Sequence, residues 1–226
     1  RKKVNLGLQG WLLDIKGVKN IYRNLKLPVL GHYQPLNLSL SIALAELYME
    51  TKKKELNDKK VREGLKFLKI KGRFEIIREK PLMIADTSHN PEGIENFVKD
   101  IISYFGKRKK IIIFAVLKDK DYKSMIKKVL GVSNVLILTS SLKQRSLDVN
   151  ELEELVKREI KEMKLKKRSS YPGELYRIDS IEDSIKFALK ISDINDIICI
   201  TGSITNLENI VCLLYTSPSP RDLSTS

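Results

Sequence analysis

Beyond about residue 74, short apolar runs alternate with longer segments whose apolar residues recur at helical spacing. Three of the runs are almost continuously apolar, as is typical of parallel strands buried on both faces. This part of the chain is therefore predicted to be α/β, a mainly parallel sheet with helices on both sides. The predicted strands are 74–77, 82–85, 111–117, 135–139 and 197–201, with a weaker candidate at 174–178.

Three helices are predicted between these strands. The first follows Pro91, a favoured first helical residue, and has apolar positions spread over 94–105. The second follows a start at 148–151 that resembles a capping box, and the third has Ser180 as its N-cap. The Lys-Asp-Lys-Asp sequence at 118–121 is interpreted as a solvated turn that carries a helix cap.

The pattern of the first 70 residues is different. Two strand-like runs at 11–15 and 21–25 predict a hairpin. The residues after Asn37 are helix formers and are apolar on most of the circumference, which predicts a helix buried on more than one side. A short helix is predicted at 61–68 before the chain crosses into the next domain.

Composition narrows the class of protein. The 226 residues are 42% hydrophobic and 31% charged, which is typical of a globular chain long enough for one large or two small domains. Every apolar run is too short to span a membrane, and no secretory leader is recognised, so no membrane partner is expected. The only cysteines, Cys199 and Cys212, lack metal-ligand spacing, which favours a reducing cytoplasm and a core role for Cys199.

The formal net charge of +14 is compatible with nucleic acid, an anionic membrane or acidic substrates. The basic residues are dispersed through predicted helices and loops, and their short clusters are not interleaved with aromatic residues. We therefore favour a solvated basic surface and expect no nucleic-acid partner. A basic, non-catalytic module that binds nucleic acid stays open as the alternative.

The candidate site is the sequence Asp86-Thr87-Ser88-His89-Asn90-Pro91, which joins the strand at 82–85 to the next helix. In open α/β sheets, ligands bind beyond the carboxyl ends of strands, and a helix N-terminus offers unpaired N–H groups to an anion. Asp86 and His89 are the candidate binding residues. In the alternative interpretation, Asp86 and Asn90 only cap the helix and His89 is a surface turn residue.

Four further motifs occur in a fixed order with this one: 27–37 (Leu-Pro-Val-Leu-Gly-His-Tyr-Gln-Pro-Leu-Asn), 72–75 (Gly-Arg-Phe-Glu), 117–121 (Leu-Lys-Asp-Lys-Asp) and 201–203 (Thr-Gly-Ser). Together they resemble the folylpolyglutamate synthase and dihydrofolate synthase family of Mur-type amide ligases. The resemblance runs from about residue 27 to residue 210. Two departures from the family pattern are Tyr33, where a His is usual, and Thr87-Ser88, where Gly-Ala is commoner.

The resemblance implies an architecture. Residues 71–211 would form the Rossmann-like Mur ligase C-terminal domain, and 1–70 the end of the central α/β ATPase domain. No Gly-x-x-x-x-Gly-Lys-Ser/Thr phosphate loop occurs, so the chain is expected to be a C-terminal half whose Mg²⁺ ligands lie in the missing part. Residues 212–226 resemble vector read-through, with a natural disordered tail as the alternative.

The resemblance also implies roles for individual residues. Asn37, Arg73 and Asp86 would contact ATP, and His89 and Ser203 would bind or orient the incoming glutamate. Other roles stay open, since Asn37 or Ser203 could cap a helix and Arg73 could form a surface ion pair.

The implied reaction is amide formation through an acyl phosphate, with ATP, L-glutamate and a folate as substrates. Dihydropteroate is an alternative acceptor, and so is a cell-wall precursor, as in other Mur ligases. We expect a monomer, and we expect negligible ligase activity from this polypeptide alone.

Overall fold

The computed structural model describes residues 2–140, 145–165, 171 and 173–203. The chain divides into two compact units, Arg1–Glu75 (unit 1) and Ile76–Ser226 (unit 2).

Unit 1 combines a three-stranded antiparallel sheet with two helices. The strands β1, β2 and β3 lie in chain order, so the predicted hairpin is confirmed and β1 adds a strand that the sequence pattern did not predict. The helices α1 and α2 confirm both predicted helices. The bounds are β1 Lys3–Asn5, β2 Trp11–Lys16, β3 Ile21–Leu27, α1 Gln34–Thr51 and α2 Asp58–Lys66.

The core of unit 1 lies between this sheet and one side of α1 and α2. From α1 it takes Leu38 and Ile42, whereas Leu40 and Leu44 on the opposite side of the same helix are exposed. The prediction of burial on more than one side is therefore wrong for the described residues, because only one side of α1 has a packing partner among them. The buried core is Trp11, Leu13, Ile15, Tyr22, Leu25, Leu27, Val29, Leu38, Ile42, Val61 and Leu65.

Unit 2 is built on a six-stranded sheet with the order β4-β5-β9-β6-β7-β8. Five of these strands, β5, β9, β6, β7 and β8, run parallel to one another. The predicted, mainly parallel α/β sheet is therefore confirmed. The two-residue connection between β4 and β5 allows only an antiparallel arrangement at that edge. The bounds are β4 Glu75–Glu79, β5 Leu82–Ala85, β6 Lys110–Phe114, β7 Val135–Leu138, β8 Glu174–Arg177 and β9 Ile197–Thr201.

Four helices connect the strands of unit 2. The side chains of Asn90, Asp121 and Ser180 accept backbone hydrogen bonds as the N-caps of α3, α4 and α6, and Asp148 does the same at the start of α5. The helix α4 was not predicted, although its cap at the 118–121 turn was. The bounds are α3 Pro91–Phe105, α4 Tyr122–Leu130, α5 Val149–Leu165 and α6 Ile181–Ile191.

The direction of the crossovers places helices on both faces of the sheet. From β5 to β6, β7 and β8 the chain moves one way along the sheet, and from β8 it returns to β9 in the middle. Right-handed connections then place α6 on the face opposite to α3, α4 and α5. On its own face, α6 packs Ile181, Ile185 and Ala188 against the central strands. Cys199 is fully buried in β9, as predicted.

Two sequence interpretations fall on residues that the structure does not describe. They are the assignment of 212–226 and the question of whether Ser203 caps a following helix. Among the described helices, none is both long enough and apolar enough to cross a membrane.

Candidate functional site

Backbone hydrogen bonds join the candidate turn to the end of β9 at the carboxyl edge of the unit 2 sheet. The Asp86 N–H donates to the Ile200 carbonyl at 2.9 Å, and the Gly202 N–H donates to the Ser88 carbonyl at 3.0 Å. We call residues 86–89 and 201–203 together the β5–β9 rim. Because β5 and β9 are adjacent parallel strands, the segments that follow them lie at the same edge of the sheet. The fold therefore brings Asp86, His89 and Ser203 together.

Asp86 is buried and organises the turn. Its Oδ1 accepts a hydrogen bond from the Ser88 N–H at 2.9 Å, and its side chain is only 4% exposed. It does not cap α3, because Asn90 is the cap and accepts from the Gly93 N–H at 2.7 Å. The capping interpretation therefore holds for Asn90 and is wrong for Asp86.

The hydrogen bond of His89 defines the state of its ring. Its Nδ1 lies 2.9 Å from the carbonyl oxygen of Thr87, which can only accept, so Nδ1 carries the proton. Within the part of the chain that the structure describes, Nε2 has no hydrogen-bond partner. The half-buried ring can thus accept a proton or hydrogen bond at Nε2, or donate one when it is protonated.

Gly202 is a rim residue whose role the sequence analysis did not anticipate. Its φ is +99°, and a Cβ there would collide with the carbonyl oxygen of Ala115 at the end of β6. Only glycine fits this approach. The turn leaves the following side chain, Ser203, buried. The available signal was a glycine between two hydroxyl residues directly after an apolar run.

Cys199, although it lies in β9 beside this rim, is not a nucleophile. Burial raises the pKa of its thiol, and the charge of the Asp86 carboxylate raises it further. The thiol therefore stays protonated and serves as a core residue.

Arg73 belongs to unit 1 and stands exposed on a constrained turn. Gly72 and Phe74 on either side have φ of +64° and +53°, and the Gly72 N–H donates to Glu75 Oε2 at 2.7 Å. A left-handed conformation costs a non-glycine residue about 1–2 kcal/mol, and the buried ring of Phe74 offsets it. Arg73 forms no ion pair with another described residue, so the structure does not support the surface ion-pair interpretation.

Asn37 also belongs to unit 1, where it lies exposed in the first turn of α1. The N-cap position is Tyr33, so the interpretation of Asn37 as a helix cap is wrong. Its Nδ2 donates to Gln34 Oε1 at 3.2 Å. The amide is held by a neighbour on the same helix and faces solvent within its unit.

The Lys-Asp-Lys-Asp turn at 118–121 has the structural role that the sequence indicated. Asp121 caps α4 by accepting from the Ser124 N–H, and Asp119 pairs with Arg145 at 2.6 Å. Both carboxylates thus have partners that stabilise the loop after β6.

Two residues, one in each unit, carry groups of the kind that can bind parts of a nucleotide. Arg73 offers a permanent cation that can form two parallel hydrogen bonds to phosphate oxygens, and Asp86 offers an acceptor for hydroxyl groups. In contrast, no group of three or more His, Cys, Asp or Glu side chains among the described residues could hold a metal ion.

Comparison with known proteins agrees with this fold. A family model described as "Mur ligase, glutamate ligase domain" matches residues 72–204. The dihydrofolate synthase/folylpolyglutamate synthase of Bacillus subtilis is 27% identical over 201 residues, which are 89% of this chain and 44% of that protein.

Two solved structures share the fold. Folylpolyglutamate synthase from Mycobacterium tuberculosis, complexed with ADP and AMPPCP, has a TM-score of 0.80 at 23% identity and covers 97% of this chain and 48% of its own. A bifunctional folylpolyglutamate/dihydrofolate synthase with Mn, AMPPNP and L-glutamate bound has a TM-score of 0.67 at 20% identity, covering 88% of this chain and 43% of its own. This chain spans less than half the length of these relatives.

Proposed function

Because the chain belongs to the Mur ligase family, we propose that it is part of an ATP-dependent ligase that adds L-glutamate to a folate. The motif order in the sequence and the similarity to folylpolyglutamate and dihydrofolate synthases support this substrate class. The relatives complexed with nucleotide, Mn and L-glutamate support ATP and a divalent metal ion as requirements. In this proposal residues 1–70 complete an ATPase domain whose metal ligands lie outside the described residues.

The observation that carries the proposal is the β5–β9 rim. It presents a half-buried imidazole with Nε2 available, three residues from a buried carboxylate, at the sheet edge where α/β proteins bind ligands. A nucleophilic amine needs an acceptor for its proton, and His89 Nε2 can serve. When His89 is protonated, the same atom can donate to a carboxylate of glutamate.

The proposed reaction proceeds in two steps. A carboxylate oxygen of the folate attacks the γ-phosphorus of ATP, the bond to the β-phosphate breaks, and an acyl phosphate and ADP result. The amine of L-glutamate then attacks the carbonyl carbon, and phosphate leaves with the bonding pair as the amide forms. The amine loses its surplus proton in this second step, and His89 Nε2 accepts it.

Unit 1 contributes charge and hydrogen bonding to the first step. Arg73 would neutralise phosphate charge that develops during transfer, since phosphoryl transfer depends chiefly on positioning and electrostatics. The Asn37 amide would donate an uncharged hydrogen bond to the nucleotide. In unit 2, the Asp86 carboxylate would accept from nucleotide hydroxyl groups. Ser203 is proposed to help hold the glutamate.

The test is ADP release by the full-length protein, measured with and without folate and L-glutamate. Asp86→Asn should lower kcat/KM at least about tenfold, because the amide keeps only one acceptor oxygen and cannot accept from both the Ser88 N–H and a nucleotide hydroxyl. Asp193→Asn, an exposed aspartate in the turn before β9, is the matched control and should keep full activity. ADP release that depends on neither folate nor L-glutamate would overturn the proposal.

Two related assays sharpen the substrate. Replacing the folate with dihydropteroate separates dihydrofolate synthase from folylpolyglutamate synthase activity, and a cell-wall precursor tests the other branch of the family. The 226-residue chain alone should release negligible ADP. Steady release by it, dependent on folate and glutamate, would contradict the division of the site proposed here.

A further inference from the structure

The net positive charge of the chain is concentrated in unit 1. Residues 1–75 contain 17 Lys and Arg residues and 7 Asp and Glu residues, so they carry +10 of the formal net charge of +14. A surface with such an excess attracts anions, most strongly where lysines have no carboxylate beside them. Unit 1 is therefore the part of the chain in which to look for a site that binds a negatively charged ligand.

A cleft with a volume of about 430 Å³ lies in unit 1 between β3 and α2. We call it the β3–α2 cleft and define it by Lys26, Pro28, Arg62, Leu65 and Lys66, which line it. Its volume is within the range of small-molecule binding sites. The lining combines an apolar part, formed by the proline and the leucine, with basic side chains from both the strand and the helix.

Arg62 fixes the two walls of the cleft against each other. Its Nη1 donates to the carbonyl oxygen of Asn24 at 3.0 Å, and its Nη2 donates to that of Arg23 at 2.5 Å. The guanidinium also pairs with the Asp58 carboxylate on its own helix, with Nε 2.5 Å from Oδ2. Because these protein groups use most of its donors and balance its charge, Arg62 builds the cleft and leaves ligand binding to the lysines.

Lys26 and Lys66 supply the available positive charge of the cleft. Both are exposed, and neither pairs with a carboxylate among the described residues. Lys66 Nζ lies 5.2 Å from the centroid of the Phe67 ring, a contact that does not neutralise it. Glu63 also lines the cleft, but Lys59 Nζ lies 4.0 Å from its Oε1. Two ammonium groups, one on each wall, are thus left for an anionic ligand.

On the basis of the function proposed above, we infer that the β3–α2 cleft binds the γ-glutamyl tail of the folate. Each glutamate already joined through its γ-carboxyl group carries a free α-carboxylate, and methylene groups and amides separate these charges. Lys26 and Lys66 can each donate a charge-assisted hydrogen bond to one carboxylate, while Pro28 and Leu65 contact the methylene groups. The cleft then holds glutamates that were added before the one that reacts.

A nucleic acid would offer phosphates to the same two lysines, but the cleft does not favour it. Proteins that bind single strands place aromatic side chains where the bases can stack. Among the described residues, no aromatic side chain lines the β3–α2 cleft. A chain of carboxylates and methylene groups needs no such ring, so the lining matches the glutamyl tail better.

Isothermal titration calorimetry of the full-length protein with a peptide of three γ-linked glutamates, in the absence of ATP, tests the assignment. We expect Lys26→Gln/Lys66→Gln to raise the Kd at least about tenfold, because two charge-assisted contacts are lost. The matched control is Lys16→Gln/Lys54→Gln, which removes the same charge from exposed positions of unit 1 outside the cleft and should raise the Kd less than about twofold. Both double variants should keep the urea midpoint of Trp11 fluorescence, because all four lysines are exposed.

Three results would overturn the assignment. They are the absence of peptide binding to the wild type, equal weakening by the two double variants, and tighter binding of a single-stranded oligonucleotide that displaces the peptide and is weakened by Lys26→Gln/Lys66→Gln. Equal weakening would show that the general positive field of unit 1 attracts the peptide, and the oligonucleotide result would assign the cleft to nucleic acid. The titration needs no catalysis, so peptide binding in the cleft without ligase activity contradicts only the proposed function.

Discussion

The helices α6 and α1 belong to the two units and differ in their outward faces. On α6, Lys186 pairs with Glu182 at 2.9 Å and lies 3.7 Å from Asp183, and all three are exposed. On α1, the outward face is leucine and tyrosine. Both helices bury an aliphatic stripe on the other side. The difference teaches that the two units present different surfaces to solvent, since ion pairs cover the outward face of α6 whereas α1 leaves large apolar side chains exposed.

The same comparison extends to the buried polar groups. The sheet of unit 2 depends on aliphatic strands buried on both faces, whereas unit 1 holds its β2–β3 loop with a single carboxylate. Glu46 of α1 accepts hydrogen bonds from the backbone N–H groups of Val18, Lys19 and Asn20, and from the Tyr22 hydroxyl at 2.9 Å. Trp11, the only tryptophan, is buried in unit 1, so its fluorescence follows the unfolding of that unit.

The largest expected effect is on the core of unit 2. Phe114→Ala should reduce the free energy of unfolding of unit 2 by about 3–5 kcal/mol, because a fully buried ring is replaced by a cavity. Urea unfolding followed by circular dichroism should show the loss. Phe67→Ala, which removes a ring that is 80% exposed, is the control and should leave the transition in place. If the Trp11 fluorescence transition shifts as far as the circular dichroism transition, the two units do not unfold separately.

Next in size is the carboxylate of unit 1. Glu46→Gln should destabilise unit 1 by about 1–3 kcal/mol, because the amide leaves some of the loop N–H groups without an acceptor. The loss should be visible in the urea midpoint of Trp11 fluorescence. Glu50→Gln, one turn later and exposed, is the matched control and should change the midpoint little. Equal effects of the two variants would refute the special role of Glu46.

The Glu46 carboxylate also makes the stability of unit 1 depend on pH. Burial acts to raise the pKa of Glu46, but its hydrogen bonds outweigh burial and leave that pKa below the ordinary value of 4.5. The stabilisation is therefore full above that value and is lost as pH falls toward the lowered pKa. Burial and the bond to Glu46 raise the pKa of Tyr22 to about 12, so the tyrosine contribution is lost as pH rises from 10.0 to about 12. Fluorescence unfolding of wild type and Glu46→Gln, followed as pH falls below 4.5, should show the acid loss only in the wild type.

The smallest effect is expected at the surface of unit 2. Glu95 pairs with Lys99 at 2.8 Å and with Lys128 at 2.6 Å, and hydrogen bonds from Lys128 and then Lys99 lower the pKa of Glu95 to about 2. The group is exposed, so solvent and salt screen the pairs and Glu95→Gln should leave the unfolding midpoint unchanged within error. A large loss that disappears at high salt would show that this network links α3 to α4 more strongly than we expect.

The sequence predicted a strand most accurately where its buried apolar residues are the same residues that pair with neighbouring strands. The strands at 82–85 and 197–201 were predicted to the residue, since each apolar run ends where its ladder ends. The strand predicted at 111–117 extends too far, because Ala115 and Val116 stay buried after β6 leaves the ladder at Phe114. These two residues are apolar because they are buried. The local sequence does not distinguish a buried residue from one that also pairs in the sheet.

The site residues show the same limit. The sequence brought Asp86, His89 and Asn90 to one turn, but either Asp86 or Asn90 could cap α3 by composition. Only hydrogen-bond geometry separates them, with Asn90 accepting from Gly93 and Asp86 from Ser88. The need for glycine at 202 depends on a carbonyl of another strand, which is a long-range contact that the local sequence does not encode.

The most direct test of the account is the L-glutamate dependence of ADP release by the full-length His89→Gln variant. The account predicts that kcat falls at least about tenfold, because the amine loses its proton acceptor, and that KM for L-glutamate rises while KM for ATP changes little, because the Nε2 contact at the β5–β9 rim is lost. An unchanged KM for L-glutamate, with kcat also unchanged, would contradict the assignment of the rim as the place where the incoming amine binds.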